Sequence, residues 1–285
     1  MHTIPATDAG RVIDWSKTSS DYGAHRPGLP PSFYERLHAL GVGRKGQRIL
    51  DLGTGTGLLA CELAANGCIA SGTDIAPGQI EEAIRLGNIG LANAANLNCD
   101  FHGAPLCDFH GAPLCDFHVA SSETQPFANA TFDCITAMQC WLYFDQEKTI
   151  AEVKRLLKPG GVLVTAHFSW LPRLDAIAKA SEQLVLKFNP QWGGKDWSGE
   201  VPPVAYGLDA HLPLQAMFWY DEAIPFTRES WRGRMRACRG TGATLPENQL
   251  AQFDREHDAM LKQIAGDDFT VLHRVSAHVF TTAVV

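Results

Sequence analysis

The chain has 285 residues, of which 45% are hydrophobic and 19% are charged, and its formal net charge at pH 7 is −7. This composition is typical of a folded globular enzyme and unlike that of a disordered or fibrous chain. The negative charge argues against nucleic acid as the main partner, because no overall basic field attracts a polyanion. The densest basic stretch, residues 228–239 with five arginines, is interpreted as a helix face that is solvated or paired with nearby acids.

The N-terminal residues show neither a basic region nor an apolar signal segment, and no apolar run approaches the length that spans a bilayer. Three of the eight cysteines belong to one repeated peptide, and the rest are scattered among apolar residues. Scattered cysteines of this kind are predicted to be reduced core residues. We therefore expect a cytoplasmic protein with no membrane contact, present as a monomer or homodimer.

From residue 47 onward, short apolar runs alternate with amphipathic stretches, a pattern typical of β-α units around a parallel sheet. The runs predicted as strands of the first half are 48–52, 68–74, 115–120, 132–137 and 162–166. Two later runs, 214–220 and 269–285, are predicted to close the sheet as an antiparallel pair. The sequence thus favours an α/β fold.

The segment from Trp170 to Pro225 differs in composition, because it is rich in Trp, Pro and Gly around one predicted amphipathic helix near 175–186. We interpret it as an insertion that helps to wall a pocket, because loops at the carboxyl ends of such strands usually carry specificity. The alternative is a surface excursion with no role in the site.

An internal repeat precedes the third predicted strand. Cys99–Leu106 recurs identically as Cys107–Leu114, and a third copy begins at Cys115–His118. Only the third copy leads directly into the next turn, so the strand is assigned to Cys115–Ala120 and the earlier copies to a loop. Each copy contains Cys-x-x-His, which raises zinc as an alternative, but residues three apart in a strand point to opposite faces. We therefore predict no metal site.

The segment that carries most chemical information is the glycine-rich loop Asp51-Leu-Gly-Thr-Gly-Thr-Gly57. It follows a strand and opens into a helix, and glycines in such a loop let backbone amides approach a ligand closely. The helix N-terminus adds donors that suit a carboxylate. Asp74, at the end of the next strand, can accept both hydroxyls of a ribose. Loop and acid together predict a nucleoside site in a Rossmann-like fold.

The spacing of the loop favours one nucleoside cofactor over another. The dinucleotide fingerprint Gly-x-Gly-x-x-Gly fails from Gly53, because its third glycine would be Leu58, whereas from Gly55 it reaches Ala60, which it tolerates. Asp51, two residues before the first glycine, can reach an ammonium group, which the methionine part of S-adenosylmethionine (SAM) offers and a nicotinamide dinucleotide does not. An NAD-dependent oxidoreductase is kept as the less favoured alternative.

Residues 49–57 resemble motif I of class I SAM-dependent methyltransferases. The stretches 126–127, 131–133 and 156–163 resemble later motifs of that family, in the same order, so that the resemblance covers about residues 47–168. It implies a Rossmann-like seven-stranded, mostly parallel sheet with an antiparallel end strand and helices on both faces.

The same resemblance implies which residues hold SAM. Ile75 packs on the adenine or ribose, and Met138 approaches the methionine end, although core packing is an open alternative for Met138. The complete set implied to bind the cofactor within the core comprises Asp51, Gly53, Thr54, Gly55, Gly57, Asp74, Ile75, Ser121, Ser122, Glu123, Met138 and Gln139.

The upstream segment Ser20–Pro31 resembles the trans-aconitate methyltransferase-like subgroup of this family. That resemblance implies that Tyr22 and Arg26 cap the cofactor, with Arg26 near its carboxylate; an ordered N-terminal tether is the alternative. Residues 139–145 resemble a further motif of the subgroup, but Leu142 stands where the subgroup has His. The acceptor of the subgroup is therefore not carried over.

Methyl transfer from a sulfonium is an in-line displacement, and a hydroxyl or ammonium acceptor needs a base. His167 at the end of the fifth strand and His25 in the N-terminal lid are the candidate catalytic residues. We predict a SAM-dependent methyltransferase for a small-molecule acceptor (O- or N-methylation, with a carboxylate among the candidates), the alternative being a SAM-binding protein without catalysis. The predicted organisation is a lid and capping helix, a SAM-binding core, an insertion, and C-terminal helices with the last strand, at 1–46, 47–168, 169–225 and 226–285.

Overall fold

A computed structural model describes residues 7–8, 11–12, 14–18, 21, 25, 28–96, 115–203 and 208–282. Besides a short hairpin of Thr7–Asp8 with Arg11–Val12, the strands in this part of the chain are β1 Arg48–Leu52, β2 Ile69–Asp74, β3 Cys115–Val119, β4 Phe132–Met138, β5 Leu157–Trp170, β6 Leu214–Thr227 and β7 Asp268–Thr281. The α-helices are α1 Pro31–Ala39, α2 Leu58–Ala65, α3 Pro77–Asn96, α4 Gln146–Leu156, α5 Ala176–Phe188, α6 Arg228–Arg236 and α7 Glu247–Ile264.

The seven long strands form one sheet in the order β3-β2-β1-β4-β5-β7-β6. The strands from β3 to β5 are parallel, and β7 runs antiparallel to both of its neighbours. The seven-stranded, mostly parallel sheet predicted from the sequence is confirmed. The antiparallel strand lies one position inside the edge, because β6 pairs with its outer side.

The edge strand β6 comes in part from the segment predicted as an insertion. Its residues 214–225 belong to the sheet, so the boundary predicted at 225 falls within a strand. The reason is that a long antiparallel partner was available: β6 and β7 pair from Leu214 opposite Phe280 to Thr227 opposite Asp268. The strand predicted at 162–166 is β5, which spans Leu157–Trp170 and so runs past the boundary predicted after 168.

Both faces of the sheet are covered, which explains the nearly continuous apolar runs of the central strands. Ile49, Val164 and Phe168 face a core shared with α1, α2 and α5–α7. Leu50 and Leu163 face the opposite core, to which α4 contributes. The carboxyl ends of the parallel strands therefore meet at one edge, where ligands of this fold class bind.

The third copy of the repeat forms β3, as predicted, and ends one residue earlier than expected. It pairs in parallel with β2, with Cys115 opposite Ala70 and Val119 opposite Asp74. Residues 99–114, which hold the first two copies, lie outside the described residues. Within the described ranges no group of three His, Cys, Asp or Glu side chains is placed to hold a metal ion. None of the helices described combines the length and apolarity needed to cross a membrane.

Candidate cofactor site

A cleft lies at the carboxyl ends of β1, β4 and β5. Four residues that were predicted to bind cofactor line it: Asp51, Gly53, Thr54 and Met138. Its other lining residues were not among those predicted to bind cofactor. They come from the start of α1, the glycine loop, the start of α2, and β5, and they are Gly28, Leu29, Tyr34, Thr56, Leu58, Leu59 and Phe168. Most of these are apolar residues whose spacing predicts only that they are buried, not what they face.

Asp51 is the penultimate residue of β1 and is 2% exposed. Its two carboxylate oxygens accept hydrogen bonds from the hydroxyls of Thr54 (2.7 Å) and Thr136 (2.6 Å). Burial raises the pKa of Asp51 to about 6, although both hydrogen bonds favour the charged form. No cationic side chain among the described residues forms an ion pair with it. A buried carboxylate that is oriented in this way can receive an ammonium group from a ligand.

The glycines of the loop adopt backbone conformations that other residues avoid. Gly53, Gly55 and Gly57 have φ of +61°, +57° and +79°, all in the left-handed region. A Cβ at Gly53 would lie 2.8 Å from Sγ of Cys140. The loop therefore needs glycine both for its turn and for its close approach to neighbouring atoms.

Asp74 ends β2, beside the same loop. Its carboxylate accepts hydrogen bonds from the backbone N–H groups of Gly55 (3.0 Å) and Ala76 (2.9 Å), and burial raises its pKa. The next residue, Ile75, is 71% exposed, which is unusual for so large an apolar side chain. An acid fixed at the strand end next to an open apolar surface suits a ribose joined to a flat base.

The buried hydroxyl of Thr56 lacks a hydrogen-bond partner among the described residues. Thr56 is 1% exposed and lines the cleft. Buried hydroxyls normally have a partner, so the cleft is built for a polar ligand group. With the Asp51 carboxylate and the glycine loop, this hydroxyl fits the carboxylate and ammonium of a bound methionine moiety.

Ser121, Ser122 and Glu123 do not line this cleft. The Ser122 hydroxyl accepts a hydrogen bond from the Thr149 hydroxyl (3.2 Å), and Glu123 accepts from the backbone N–H of Asp145 (3.1 Å) and from the Ser121 hydroxyl. They are thus joined to the N-terminal end of α4. Their proximity to an adenine stays a prediction.

Gln139 follows β4 with a φ of +58°, a strained conformation for a residue other than glycine. Its backbone N–H donates to the carbonyl of Ala166 on β5 (2.9 Å), which holds the end of β4 against β5. Strain of this kind concentrates at functional sites, and Met138 beside it lines the cleft. Contact of Gln139 with the cofactor stays a prediction.

The two candidate bases lie in different surroundings. The His167 ring packs edge-on against Trp197, 4.8 Å between centroids, and it is the next residue, Phe168, that lines the cleft. Because side chains alternate along a strand, His167 is directed to the opposite face of the sheet. Position near a strand end could be predicted from the sequence, but the face could not.

His25 packs against α6, since a Cβ on Gly233 would overlap its ring. Its Nε2 lies 3.8 Å from Oδ1 of Asp21. Tyr22 and Arg26, which were predicted to cap the cofactor, lie outside the described residues. The N-terminal segment nevertheless reaches the cleft, because Gly28 and Leu29 line it.

The strand order, the glycine loop and the acid at the end of β2 define a Rossmann-like nucleoside-binding fold. A family described as a methyltransferase domain matches residues 50–165. A ubiquinone/menaquinone biosynthesis C-methyltransferase UbiE from Geotalea uraniireducens is 31% identical over 176 residues, which cover 57% of this chain and 68% of that protein. The chain belongs to the class I SAM-dependent methyltransferases, and the cofactor of that class is S-adenosyl-L-methionine.

A ubiquinone biosynthesis O-methyltransferase from Dinoroseobacter shibae is 30% identical over 160 residues, 56% of each chain. A UbiE protein from Vibrio cholerae is matched over 52% of its length, so the chain spans about half the length of these curated relatives. The solved structure of a type II methyltransferase from Anaeromyxobacter dehalogenans aligns with a TM-score of 0.53 and 17% identity, over 90% of this chain and 97% of that one. That likeness concerns the fold. The trans-aconitate subgroup stays a prediction.

Proposed function

We propose that this protein transfers a methyl group from SAM to a small-molecule acceptor, at an oxygen or nitrogen atom, with a carboxylate oxygen among the candidates. The observation that carries the proposal is the composition of the cleft. On one side it has the buried carboxylate of Asp51, which can bind a cationic ligand group, and on the other the apolar side chains of Met138 and Phe168 at the ends of β4 and β5. This composition supports an ammonium-bearing methionine moiety at one end and, at the other, a reacting centre from which apolar side chains exclude water.

The names of the relatives support a small acceptor, since both denote methyltransferases of ubiquinone or menaquinone biosynthesis. One name specifies methylation at oxygen and the other at carbon. The relatives therefore do not decide the atom that is methylated here, and the acceptor has to be argued from the residues of this chain.

When bound, SAM supplies an electrophilic methyl group on a sulfonium. For such a displacement the protein mainly positions the reactants and excludes water. The Asp51 carboxylate, held by Thr54 and Thr136, orients a cationic ligand group. Phe168, which is 3% exposed, and Met138 exclude water from the end of the cleft.

A hydroxyl or ammonium acceptor must lose a proton, whereas a carboxylate acceptor need not. Of the two candidate bases, His25 lies in the N-terminal segment that reaches the cleft, and His167 faces away from Phe168. We therefore place His25 before His167 as the candidate base.

The proposal is tested by calorimetric titration with S-adenosylhomocysteine, the demethylated cofactor, and with NAD. We expect binding of the former only, and Asp74→Ala should weaken it at least about tenfold because hydrogen bonds to a charged group are lost. Asp116→Ala is the matched control, since Asp116 is an exposed acid on β3 that pairs with His118. Tight NAD binding without a response to S-adenosylhomocysteine would exclude the proposal.

A SAM-binding protein without catalysis is the second candidate function. It is favoured by one observation: the duplicated residues 99–114 directly precede β3, the strand that pairs with the end of β2 at Asp74. Release of S-adenosylhomocysteine from SAM, measured with and without pools of candidate acceptors, separates the two functions. Binding with no acceptor-dependent release in any pool would favour the second.

A further inference from the structure

The basic stretch at residues 228–239 holds five arginines. Arg239 lies beyond the end of α6 and donates a hydrogen bond to the Tyr143 hydroxyl (3.2 Å), and the other four lie on the helix. Three of these four, spaced by four residues, lie on one face of α6 and form ion pairs with acids; these pairs are Arg228 with Asp267 (2.6 Å), Arg232 with Asp254, and Arg236 with Asp254 (2.7 Å) and Asp21 (3.0 Å). These ion pairs agree with the interpretation of the stretch as a helix face whose arginines pair with nearby acids. They leave Arg234 unexplained.

Arg234 lies two residues from Arg232 and Arg236, about 200° around the helix, and so points toward the sheet. It is 8% exposed, and its guanidinium carbon lies 4.8 Å from the centroid of the Trp170 ring. Among the described residues no carboxylate forms an ion pair with it. Burial lowers the pKa of its guanidinium, which shows the cost of holding the charge there.

Glu182, a buried acid that is hydrogen-bonded to Trp170, does not supply the missing anion. Its Oε1 accepts from Nε1 of Trp170 (2.7 Å), and its Oε2 accepts from the backbone N–H of Asp196 (2.8 Å). Trp170 thus contacts a buried acid through its N–H and a buried base through its ring, while the two charges are not paired. The stacking of Arg234 on Trp170 offsets only part of the cost of burying a cation.

The position of Arg234 relates it to the cleft. Trp170 stands two residues beyond Phe168 on β5 and therefore on the same face of the sheet, and Phe168 lines the cleft. Along the sheet, β5 lies on the far side of β4 from β1 and β2, which carry Asp51 and Asp74. Arg234 is thus on the side of the cleft that is remote from the ribose acid, and its neighbour Gly233 is covered by His25.

We propose that Arg234 binds an anionic group, a carboxylate or a phosphate, of the methyl acceptor, so that the acceptor is an acidic small molecule. A guanidinium presents parallel N–H donors that match such groups in a bidentate manner. The inference rests on the proposed methyltransferase function, and it adds the substrate class. It also gives a role to an arginine at a buried position where an apolar residue would pack at lower cost.

The test uses the full chain saturated with S-adenosylhomocysteine. Its melting temperature is measured with increasing acetate, citrate and phosphate at constant ionic strength balanced with chloride. The variant Arg234→Met replaces the guanidinium by an apolar chain, and Arg228→Gln is the matched control because it removes an arginine of the paired face. We expect at least one of the three anions to raise the melting temperature of the wild type and of Arg228→Gln in a saturable way.

In Arg234→Met this response to anions should be lost, with an apparent anion affinity at least tenfold weaker. The melting temperature of this variant without added anion should equal or exceed that of the wild type, because no unpaired charge is buried. An anion response that survives in Arg234→Met, no response in the wild type, or a lower anion-free melting temperature than in Arg228→Gln would each overturn the proposal. Whether acetate and citrate or phosphate gives the response separates a carboxylate from a phosphate. Failure of S-adenosylhomocysteine to stabilise any variant would instead refute the proposed function.

Discussion

The ring of Phe117 fills the space that a side chain at Gly57 would need. A Cβ at Gly57 would lie 2.5 Å from Cζ of Phe117, and a Cβ at Gly72 on β2 would lie 2.7 Å from Cδ1 of the same ring. Gly57 is the N-cap residue of α2, with a φ of +79°. The third copy of the repeat is therefore packed directly against the end of the cofactor loop.

Substitution of Gly57 by Ala should lower the free energy of unfolding by about 3 kcal/mol, because left-handed strain adds to overpacking against Phe117. Gly46→Ala is the control: Gly46 has a φ of +82°, but nothing lies within 4 Å of a Cβ there. It should cost only about 1–2 kcal/mol. Urea denaturation measures both, and equal losses would mean that Phe117 exerts no steric constraint.

The repeat offers three identical phenylalanines for comparison, Phe101, Phe109 and Phe117. Phe117→Ala should destabilise the protein by about 2 kcal/mol, since a half-buried ring that packs beside α2 is lost. Phe101→Ala and Phe109→Ala should each change stability by less than about 0.5 kcal/mol, because only the third copy supplies β3. A comparable loss at Phe109 would indicate that the copies exchange in the strand.

Deletion of residues 99–114 should leave the fold and the affinity for S-adenosylhomocysteine unchanged. The deletion removes two copies and keeps the strand that pairs with β2. It leaves residues 97–98 between the end of α3 and the start of β3, a length within the usual range of about 2–6 residues for helix-to-strand connections in α/β units. Thermal unfolding and calorimetric titration check this, and an unfolded deletion variant would show that the earlier copies are part of the packed structure.

Affinity for S-adenosylhomocysteine should depend on the ionisation of Asp51. Its pKa is raised to about 6 by burial, so at pH 5 roughly nine-tenths of it is protonated and affinity should be about tenfold lower than at pH 8. The stability of the ligand-free fold should depend on pH in the opposite direction. Because the pKa of Asp51 is higher in the folded than in the unfolded chain, its contribution to stability is fully present below the unfolded pKa and is lost as the pH rises through about 6.

Asp51→Asn is the control for that pH dependence. The amide keeps the size of the carboxylate and has no charge to titrate, so binding should be weak and nearly independent of pH between 5 and 8. Calorimetric titrations at several pH values give both profiles. The same slope in Asp51→Asn as in the wild type would assign the effect to another group.

The ion pair between Asp21 and Arg236 joins positions 215 residues apart and ties the N-terminal segment to α6. Asp21→Asn should release that segment in part, so that trypsin cleaves after the exposed Lys17 several-fold faster. Asp196→Asn, which breaks the exposed pair with Arg173, should not change the rate. Mass spectrometry of timed digests measures this, and an unchanged rate in Asp21→Asn would show that the pair does not hold the segment.

Periodicity and local spacing accounted for most of the sheet. Buried strands flanked by helices are recognised as β-α units because both of their faces are apolar. The third copy of the repeat was assigned to β3, in preference to the two identical earlier copies, because a turn directly follows it. The edge strand β6 was predicted only in its first half, because its second half contains Pro225, which counts against a strand unless the strand lies at the edge of a sheet. At the site, the loop acid and glycines were recognised because their roles depend on backbone geometry over a few residues.

The sequence by itself determined the cofactor class of this protein, because glycines, helix start and strand-end acids act through local geometry that is written in consecutive residues. Only the tertiary structure decided that Phe168 rather than His167 faces the cleft. It also decided that Arg234 is buried against Trp170 and forms an ion pair with no acid in the described part of the chain. The face of the sheet to which a strand residue points, and contacts between side chains more than 60 residues apart in the chain, both depend on how the elements pack. The glycine loop therefore indicates the methyl donor, and the packing of α6 against β5 provides the evidence about the acceptor.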